Sequence, residues 1–264
     1  MNSLLLSLLS LSSLLTCSDA FAGKSSGWNS RPAVPEIEAQ FDPKDPTSSK
    51  QPWELGRFVQ QSSKFVKLPF TPTPTKTILP GDVIWEPSDR QNDFTLAPLD
   101  DVVMGGVSSS EFDNASGKWV GSVTDANNGG FIGIRSTPAL KYNMEQCKGL
   151  TFKFKGGQGK RFKVVVRDST DFNGICWTTS ADIGKNANPL LSLFNAGPET
   201  TVVKIIFDSQ IPTIFAKTVP GQVFDKANVV GVQMAYSKFE YDGDLNPNFA
   251  LGNIDLQILE IRAF

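Results

Sequence analysis

Two adjacent carboxylates are the first residues of this chain whose types suggest chemistry. Asp100 and Asp101 begin the charged part of the stretch LDDVVMGGVSSSEF, which continues with a hydrophobic run, a glycine pair and a serine cluster. Paired carboxylates can serve as acid and base at a glycosidic bond, and carboxylates also ligate metal ions. Neighbours in an extended chain point to opposite faces, so these two do not flank one bond. The sequence favours a structural role in which Asp101 accepts backbone hydrogen bonds.

Two glycine pairs accompany these acids. Gly105 and Gly106 follow the hydrophobic run, and Gly129 and Gly130 follow an Asn-Asn pair. Glycine is favoured where φ is positive or where another segment approaches the backbone closely. We therefore expect both pairs to be turns or close contacts.

A second candidate site, elsewhere in the chain, is a calcium-binding loop. The stretch DGDLNPN, starting at Asp242, resembles the first half of an EF-hand loop. Pro247 occupies the position that needs glycine, and Asn253 the position that needs the bidentate glutamate. An EF-hand is excluded, a calcium site of another type stays open, and we predict no metal and no cofactor.

The composition removes most familiar enzyme mechanisms. Histidine is absent, so the commonest general base and the Ser-His and Cys-His nucleophiles are missing. Besides Cys17, the chain has Cys147 and Cys176, which lack the CxxC spacing of zinc sites. We expect two core thiols, leave open whether they pair, find no glycine-rich dinucleotide motif, and predict that the protein is not an enzyme.

The charge of the chain is nearly balanced. Its 264 residues carry 25 Lys and Arg against 27 Asp and Glu, a net charge of −2. No global positive field attracts nucleic acid or an anionic membrane. We therefore expect no DNA binding, and any contact with RNA or a membrane surface must be local.

The first residues have the composition of a leader. Residues 3–15, SLLLSLLSLSSLL, form an apolar run that suits a signal peptide and is too short to span a membrane. Ala20-Phe21-Ala22 and a Ser-rich stretch without acids before Glu36 follow. This pairing resembles the bipartite plastid leaders of diatoms and related algae. It predicts a protein of the plastid stroma or stromal thylakoid face, with secretion or a mitochondrial location as alternatives.

A short amphipathic helix is expected in PWELGRFVQQSSKFVKLPF. Trp53, Phe58, Phe65 and Val66 would share one face, and the helix would end before Pro69. It could dock a partner, but packing on the surface of its own domain is favoured because short helices depend on tertiary contacts.

From Gly81 onward the pattern is that of strands. Eight runs rich in Val, Ile, Phe and Thr are separated by turn signals, and they predict a β-sandwich or jelly roll. The runs are KWVGSV, FIGIRS, GLTFKFKG, KRFKVVVRD, GICWTTS, TVVKIIFD, VVGVQMAYS and IDLQILEIRAF.

The third and fourth runs alternate strictly, with phenylalanine and valine on one side and basic residues on the other. The GGQG between them predicts a hairpin whose outer side carries a ladder of basic residues. A solvated face that resists edge pairing is the favoured interpretation, and a contact with an acidic partner, RNA or lipid headgroups is the functional one. The ladder consists of Lys153, Lys155, Arg161, Lys163 and Arg167.

The order of these blocks resembles a known family. DDVVMGGVSSS, NNGGFIGIRS, CKGLTFKFKGGQGKRFKVVVRD, FAKTVPGQVFD and the two last runs are similar to the complex I intermediate-associated protein 30 domain. The resemblance implies a galactose-binding-like, all-β sandwich over residues 81–264 and an assembly factor rather than an enzyme. PWELGRFVQ looks like the lead-in of plastid and cyanobacterial members, which are linked to biogenesis of thylakoid complexes, including photosystem II.

The sequence thus predicts a signal peptide (1–20), a transit peptide or linker (21–50), a short helix with a Pro-rich connector (51–80) and the domain (81–264). The expected function is assembly or stabilisation of a membrane complex, a thylakoid photosystem or an NADH dehydrogenase-like complex, through contacts with its subunits or assembly intermediates and with peripheral membrane association. The expected protein-contacting residues are Trp53, Arg57, Phe58, Asp101, Met104, Asn128, Arg135, Lys153, Lys155, Arg161 and Lys163.

Two alternatives belong to other classes. A secreted carbohydrate-binding module would use tryptophans as stacking platforms, with Trp85, Trp119 and Trp177 as candidates. A plastid RNA-binding translation factor would depend on the basic ladder, and its affinity would fall steeply with salt.

Overall fold

The computed structural model of the chain describes residues 54–65, 73–138, 140–184 and 200–264. Contacts divide the chain into Met1–Lys50 and Gln51–Phe264, and the described residues all belong to the second unit. Their secondary structure is one α-helix, α1 (Leu55–Ser63), and fifteen strands. The strands are β1 (Thr75–Thr77), β2 (Val83–Trp85), β3 (Leu96–Pro98), β4 (Ser109–Asp113), β5 (Lys118–Val123), β6 (Phe131–Ser136), β7 (Lys141–Asn143), β8 (Gly149–Gly156), β9 (Lys160–Arg167), β10 (Cys176–Ile183), β11 (Thr200–Ile206), β12 (Ile211–Ile214), β13 (Lys217–Thr218), β14 (Gly231–Ser237) and β15 (Gly252–Ala263).

The longer strands form two antiparallel sheets. The seven-stranded sheet has the order β13-β12-β10-β9-β14-β6-β3, and the six-stranded sheet has the order β11-β8-β15-β5-β4 with β2 paired to β15. The short strands β1 and β7 pair in parallel beside them. All eight predicted strands are present, and the predicted all-β sandwich with a short N-terminal helix is confirmed in the described residues.

The core lies between the two sheets. Phe152 and Phe154 of the six-stranded sheet and Phe162 of the seven-stranded sheet are fully buried, as the alternation predicts. Trp119 of β5 packs on Phe162 of β9 with ring centroids 5.9 Å apart, which brings the two sheets together face to face. Such tilted aromatic pairs add stability beyond the apolar area that they bury.

The predicted hairpin of the third and fourth runs is wrong. β8 pairs with β11 and β15, whereas β9 pairs with β10 and β14. In the connection between them, Gly157 donates to the carbonyl of Asp255 in one sheet, and Gly159 donates to the carbonyl of Ile183 in the other. Gly156, Gly157 and Gly159 have positive φ values, and their conformational freedom lets the chain cross from one sheet to the other.

The basic ladder is therefore not one surface. Lys153 and Lys155 lie on the outer face of the six-stranded sheet, while Arg161, Lys163 and Arg167 lie on that of the seven-stranded sheet. Lys163 and Arg167 are only 8% and 4% exposed. The prediction fails because the alternation gives the face of each strand but not the sheet to which the strand belongs.

The helix α1 packs on its own domain, as the sequence favoured. Gln61 and Ser62 of the helix and Phe65 just beyond it are buried, and Phe65 joins a small apolar cluster with Ala97 and Leu99. Trp53 and Val66, which were assigned to the same helix face, lie outside the described residues. Among the residues that the structure describes, no helix has the length and hydropathy needed to cross a membrane.

Candidate functional site

The two acids lie where the chain leaves β3 and turns. Asp100 is extended, with φ −92° and ψ 176°, and Asp101 begins a short 3-10 turn that ends at Met104. The side chains of both acids are buried, with residue exposures of 0% and 1%. Buried carboxylates need hydrogen-bond donors, and each of these two finds a separate set.

Asp100 connects the helix to both sheets. Its backbone N–H donates to Oε1 of Gln61, and its Oδ2 accepts from Nε2 of the same residue, both at 2.9 Å. Oδ1 and Oδ2 also accept from the hydroxyl and backbone N–H of Ser110 in β4, at 2.6 and 2.9 Å. A longer bond of 3.4 Å comes from the N–H of Gly133 in β6. A single carboxylate thus connects α1, β4 and β6.

Arg57 provides the nearest positive charge. Its Nη2 lies 3.7 Å from Oδ2 of Asp100 and donates to the carbonyl of Ser108 at 2.8 Å, while its Nη1 contacts Glu54 at 3.1 Å. The guanidinium partly compensates the buried carboxylate and helps to hold α1 in place. Arg57, predicted to contact partners, therefore has a structural role as well. Phe58, its neighbour in the prediction, is half-buried.

Asp101 holds a different set of segments. Its Oδ1 accepts from the N–H of Ser108 at 2.9 Å, and its Oδ2 accepts from the hydroxyl of Ser108 at 2.7 Å. Oδ2 also accepts from the N–H groups of Gly130 and Phe131, at 2.9 and 3.4 Å. The predicted structural role of Asp101 agrees with this geometry, because the side chain ties the turn after β3 to the starts of β4 and β6.

Burial and hydrogen bonding shift the pKa values of these two carboxyls in opposite directions. Burial raises the pKa of both Asp100 and Asp101, and the bonds from serine hydroxyls, from Gln61 and from backbone N–H groups act in the lowering direction. Every carboxylate oxygen already accepts at least one hydrogen bond from the protein. An acid in this state is poorly placed to abstract a proton or to ligate a cation.

The glycine pairs are explained by close approach and positive φ, as predicted. A Cβ at Gly106 would lie 2.7 Å from Oδ2 of Asp101, and one at Gly129 would overlap the same oxygen. Gly105 and Gly130 have φ values of 92° and 128°, which favour glycine. Each pair therefore has one glycine that the close approach of Asp101 requires and one that its backbone conformation requires.

The turn beside this centre exposes two of the predicted contact residues. Met104 is 58% exposed at the end of the 3-10 turn, and Asn128 is exposed with a φ of 58°. Asn127 donates to the carbonyl of Gly105 at 3.1 Å, so the two glycine turns lie side by side. The loops expected to contact a partner therefore form one surface.

The remaining predicted residues are dispersed. Arg135 is half-buried in β6, and Arg161 forms a two-point ion pair with Asp182, with N–O distances of 2.7 and 3.2 Å. Lys163 donates to the carbonyls of Phe239 and Glu240 at 2.6 Å. Burial lowers the pKa of Lys163 to about 8. The predicted partner-contact role of Lys163 does not fit, because its ammonium is covered by this loop.

A groove that the sequence did not indicate lies between α1 and the outer face of the six-stranded sheet. It encloses about 710 Å³ and carries charges of both signs. Its charged and amide-bearing lining residues are Arg57, Gln60, Gln61, Lys64, Glu111, Asn253 and Asp255. Gln61 could have been recognised, because it lies between Phe58 and Phe65 at helical spacing and so shares their inward face.

The tryptophans expected as glycan platforms are part of the core. Trp85 and Trp119 have no exposed surface, and Trp177 is 4% exposed. Trp177 packs against Phe224 with ring centroids 5.3 Å apart. Stacking on a sugar needs an exposed ring face, so the prediction that these tryptophans are glycan-stacking platforms is wrong for all three.

The polar side chains of the calcium-loop candidate bind other parts of the domain. The carboxylate of Asp242 accepts from the N–H and hydroxyl of Thr218 at 2.8 and 2.9 Å, and the amide of Asn246 donates to two backbone carbonyls. Within the described residues, no group of three or more His, Cys, Asp or Glu side chains could hold a metal ion.

Cys147 and Cys176 are free thiols, and burial raises the pKa of Cys147.

The fold and the site together define a β-sandwich in which a buried acid pair organises the loops at one end and fastens a helix beside a polar groove. The chain belongs to the complex I intermediate-associated protein 30 (CIA30) family, whose model matches residues 86–258.

Comparison with solved structures finds carbohydrate-binding modules. The family 11 module of the cellulosomal cellulase Lic26A-Cel5E of Clostridium thermocellum is 11% identical, with a TM-score of 0.42 over 70% of this chain and 96% of that chain. A family 11 module from the same organism, in complex with a β-1,3-1,4-mixed-linked tetrasaccharide, is 13% identical, with a TM-score of 0.40 over 69% and 96% of the two chains. The comparison with curated proteins found no match.

Proposed function

We propose that the protein is a non-enzymatic factor that assembles or stabilises a membrane protein complex by binding its subunits. The observation that carries this proposal is membership of the CIA30 family, whose name refers to an intermediate of complex I. The family match includes strands of both sheets, from just after β2 to the middle of β15. The proposal therefore concerns the sandwich itself.

The chemistry of the acid pair supports a binding module rather than an enzyme. Asp100 and Asp101 are used to hold backbone and side-chain donors of the domain itself. Hydrolytic chemistry requires a general base that is free to take a proton from a nucleophile within hydrogen-bond reach. The whole chain lacks histidine, the commonest such base. The acids act by fixing loops, which is what a recognition surface needs.

The groove beside α1 is the proposed contact for a polypeptide segment. Lys64 on the helix side and Glu111 and Asp255 on the sheet side are exposed, so the groove offers both signs of charge. Mixed charge suits a protein partner, because a nucleic acid would require a uniformly basic surface.

The proposed location is the plastid, at the stromal face of the thylakoid. The leader composition and the lead-in PWELGRFVQ are the features that support it. The proposed clients are a thylakoid photosystem or an NADH dehydrogenase-like complex of an alga.

The test is to express the full chain with a C-terminal tag in an alga with a complex plastid, locate it, and identify what co-purifies from mildly solubilised membranes. We expect partly assembled photosystem or dehydrogenase subunits. The double charge reversal Lys64→Glu and Glu111→Lys in the groove should reduce their recovery at least about tenfold, because wrong charge juxtaposition across an interface costs several kcal/mol.

The matched control is Lys204→Glu, an exposed lysine of β11 on the same sheet that does not line the groove. It should leave recovery unchanged. Secretion of the protein, or plastid residence without subunits of any membrane complex, would contradict the proposal. Equal losses in the groove variant and the control would contradict the groove as the contact.

A further inference from the structure

A second cleft lies on the outer face of the seven-stranded sheet, where Phe65, just beyond α1, and the loop after β9 lie against β6. It encloses about 40 Å³, and two arginines line it, Arg135 of β6 and Arg167 of β9. Phe65 and Phe172 form its apolar walls, and Ser136 adds a hydroxyl. The cleft thus combines two positive charges with a largely apolar surround.

Arg167 is buried, with 4% exposure. Its Nη2 donates to the carbonyls of Ser169, at 3.4 Å, and of Asp171, and its Nη1 contacts the Sγ of Cys176 at 3.6 Å. These partners are neutral backbone groups and a thiol. They hold the guanidinium in place without neutralising its charge.

Arg135 has fewer partners than donors. Its Nε donates to Oε1 of Gln233 at 2.7 Å, and its guanidinium carbon lies 5.7 Å from the ring centroid of Phe65 and 4.9 Å from that of Phe172. Within the described residues, its two terminal nitrogens have no hydrogen-bond acceptor. Burial lowers the pKa of Arg135 to about 9, and the charge of Arg167 acts in the same direction.

Two other arginines of the domain have carboxylate partners. Arg161 pairs with Asp182, and Arg262 pairs with Glu260. In the part of the chain that the structure describes, no carboxylate oxygen lies within 4.0 Å of Arg135 or Arg167. Two neighbouring cations without a counter-ion cost free energy through mutual repulsion, and the burial of Arg167 strengthens this repulsion because solvent screens it less. An anion in the cleft would remove this cost.

We propose that the cleft binds a carboxylate group, supplied by an acidic side chain of a bound protein. A volume of about 40 Å³ accommodates about three water-sized atoms, which matches one carbon and two oxygens. The planar fork of Arg135 presents two parallel donors, the geometry that recognises a carboxylate. The phenylalanine walls exclude water and strengthen the charge contact. The identity of the donor as a bound protein rests on the proposed assembly function.

The site is tested with the full chain and acetate as the probe. Acetate is titrated at constant ionic strength against chloride while the guanidinium signals of Arg135 are followed by NMR. We expect saturable shifts with acetate and none with chloride. Arg135→Gln should weaken acetate binding about 10- to 150-fold, the usual effect of losing hydrogen bonds to a charged group. Arg135→Lys provides a second variant that keeps the charge but lacks the fork, and it should also bind more weakly.

The matched control is Arg262→Gln, which removes an arginine that already has a carboxylate partner and should leave acetate binding unchanged. Absence of a saturable shift, or equal binding by Arg135→Gln and the unchanged protein, would overturn the site. Tighter binding of inorganic phosphate than of acetate would overturn the assignment to a carboxylate. If acetate binds but Arg135→Gln still recovers membrane-complex subunits in full, the role of the site in partner binding is wrong while the site itself stands.

Discussion

Replacement of Asp101 by alanine tests whether the acid pair is architecture. The carboxylate accepts from Ser108 through both its N–H and its hydroxyl and from the N–H of Gly130, at distances of 2.7 to 2.9 Å. The hydroxyl of Ser108 has a second acceptor in the carbonyl of Thr124, at 3.1 Å. The two backbone N–H groups have none in the described residues, so alanine would leave both without a partner.

The expected loss follows from these two donors. A buried donor left unsatisfied costs about 1–3 kcal/mol, so the pair would cost about 2–6 kcal/mol. Removal of a buried carboxylate returns part of this, because its desolvation cost disappears as well. We expect Asp101→Ala to lower the free energy of unfolding by about 2–4 kcal/mol, a large part of the about 5–15 kcal/mol of a typical domain. Asp101→Asn should fall in the same range, since its amide N–H₂ would face donors.

Urea unfolding followed by tryptophan fluorescence measures this difference. With an m-value of about 2 kcal/mol/M, the midpoint should fall by about 1–2 M urea. The control is Asp113→Ala, because Asp113 also accepts from a backbone N–H and a serine hydroxyl, at 3.0 and 2.6 Å, but is exposed. It should lower the midpoint by only a small part of that shift. An unchanged midpoint for Asp101→Ala, or equal shifts for both variants, would refute the structural account of the acid.

Three further predictions concern other elements. Gly106→Ala should destabilise the fold because the new Cβ would overlap the carboxylate of Asp101, whereas Gly56→Ala, with open space around it in α1, should stabilise it by up to about 1 kcal/mol; thermal unfolding compares the two, and equal effects would contradict the close approach. Gln61→Ala should speed hydrogen exchange of the α1 amides at least about tenfold, since it removes both hydrogen bonds to the acid below the helix; unchanged exchange would mean that apolar contacts alone hold the helix. The free energy of unfolding should rise between pH 8 and 10.5 more in the unchanged protein than in Lys163→Met, because in that window the unfolded lysine keeps the proton that the folded one, with a pKa of about 8, has lost. The difference is at most about 3 kcal/mol, and parallel stability curves would contradict it.

The alternation of residues predicted the faces of the long strands, but not their partners. In β8 and β9 every second residue enters the core, as Phe152 and Phe162 show. A period of two contains no information about the neighbouring strand, so a glycine-rich turn between two such runs fits a hairpin and a sheet-to-sheet crossing equally well. The prediction of one basic ladder was wrong because the alternation does not indicate to which sheet each strand belongs.

The short strands were missed for a different reason. β1, β3 and β7 have three residues each, too few for a period to be visible. Their positions depend on long-range pairing, as in the contacts of Thr75 with Lys141 and of Leu96 with Ser136. Such pairings are set by the tertiary fold rather than by local preference.

The role of Asp101 could be predicted because it rests on local chemistry. An aspartate before a turn, followed by glycines and serines, has few alternatives to bonding the backbone around it. Helical spacing places Gln61 on the inward face of α1, but it does not indicate its contact with Asp100, which lies 39 positions away in the chain. The groove beside α1 and the arginine cleft depend on contacts of this kind as well.

The acid pair, Asp100 and Asp101, and the arginine pair, Arg135 and Arg167, have opposite hydrogen-bond balances. The oxygens of Asp100 and Asp101 are met by donors from α1, β4 and β6, so the acid pair is complete within the fold and serves to position loops. The guanidinium of Arg135 has more N–H donors than there are acceptors around it. Neither Arg135 nor Arg167 contacts a carboxylate among the described residues. Side-chain donors that the fold does not satisfy are met by water or by a ligand. The acid pair is therefore expected to govern stability and the arginine pair to govern binding, and Asp101→Ala and Arg135→Gln should separate the two effects in one protein.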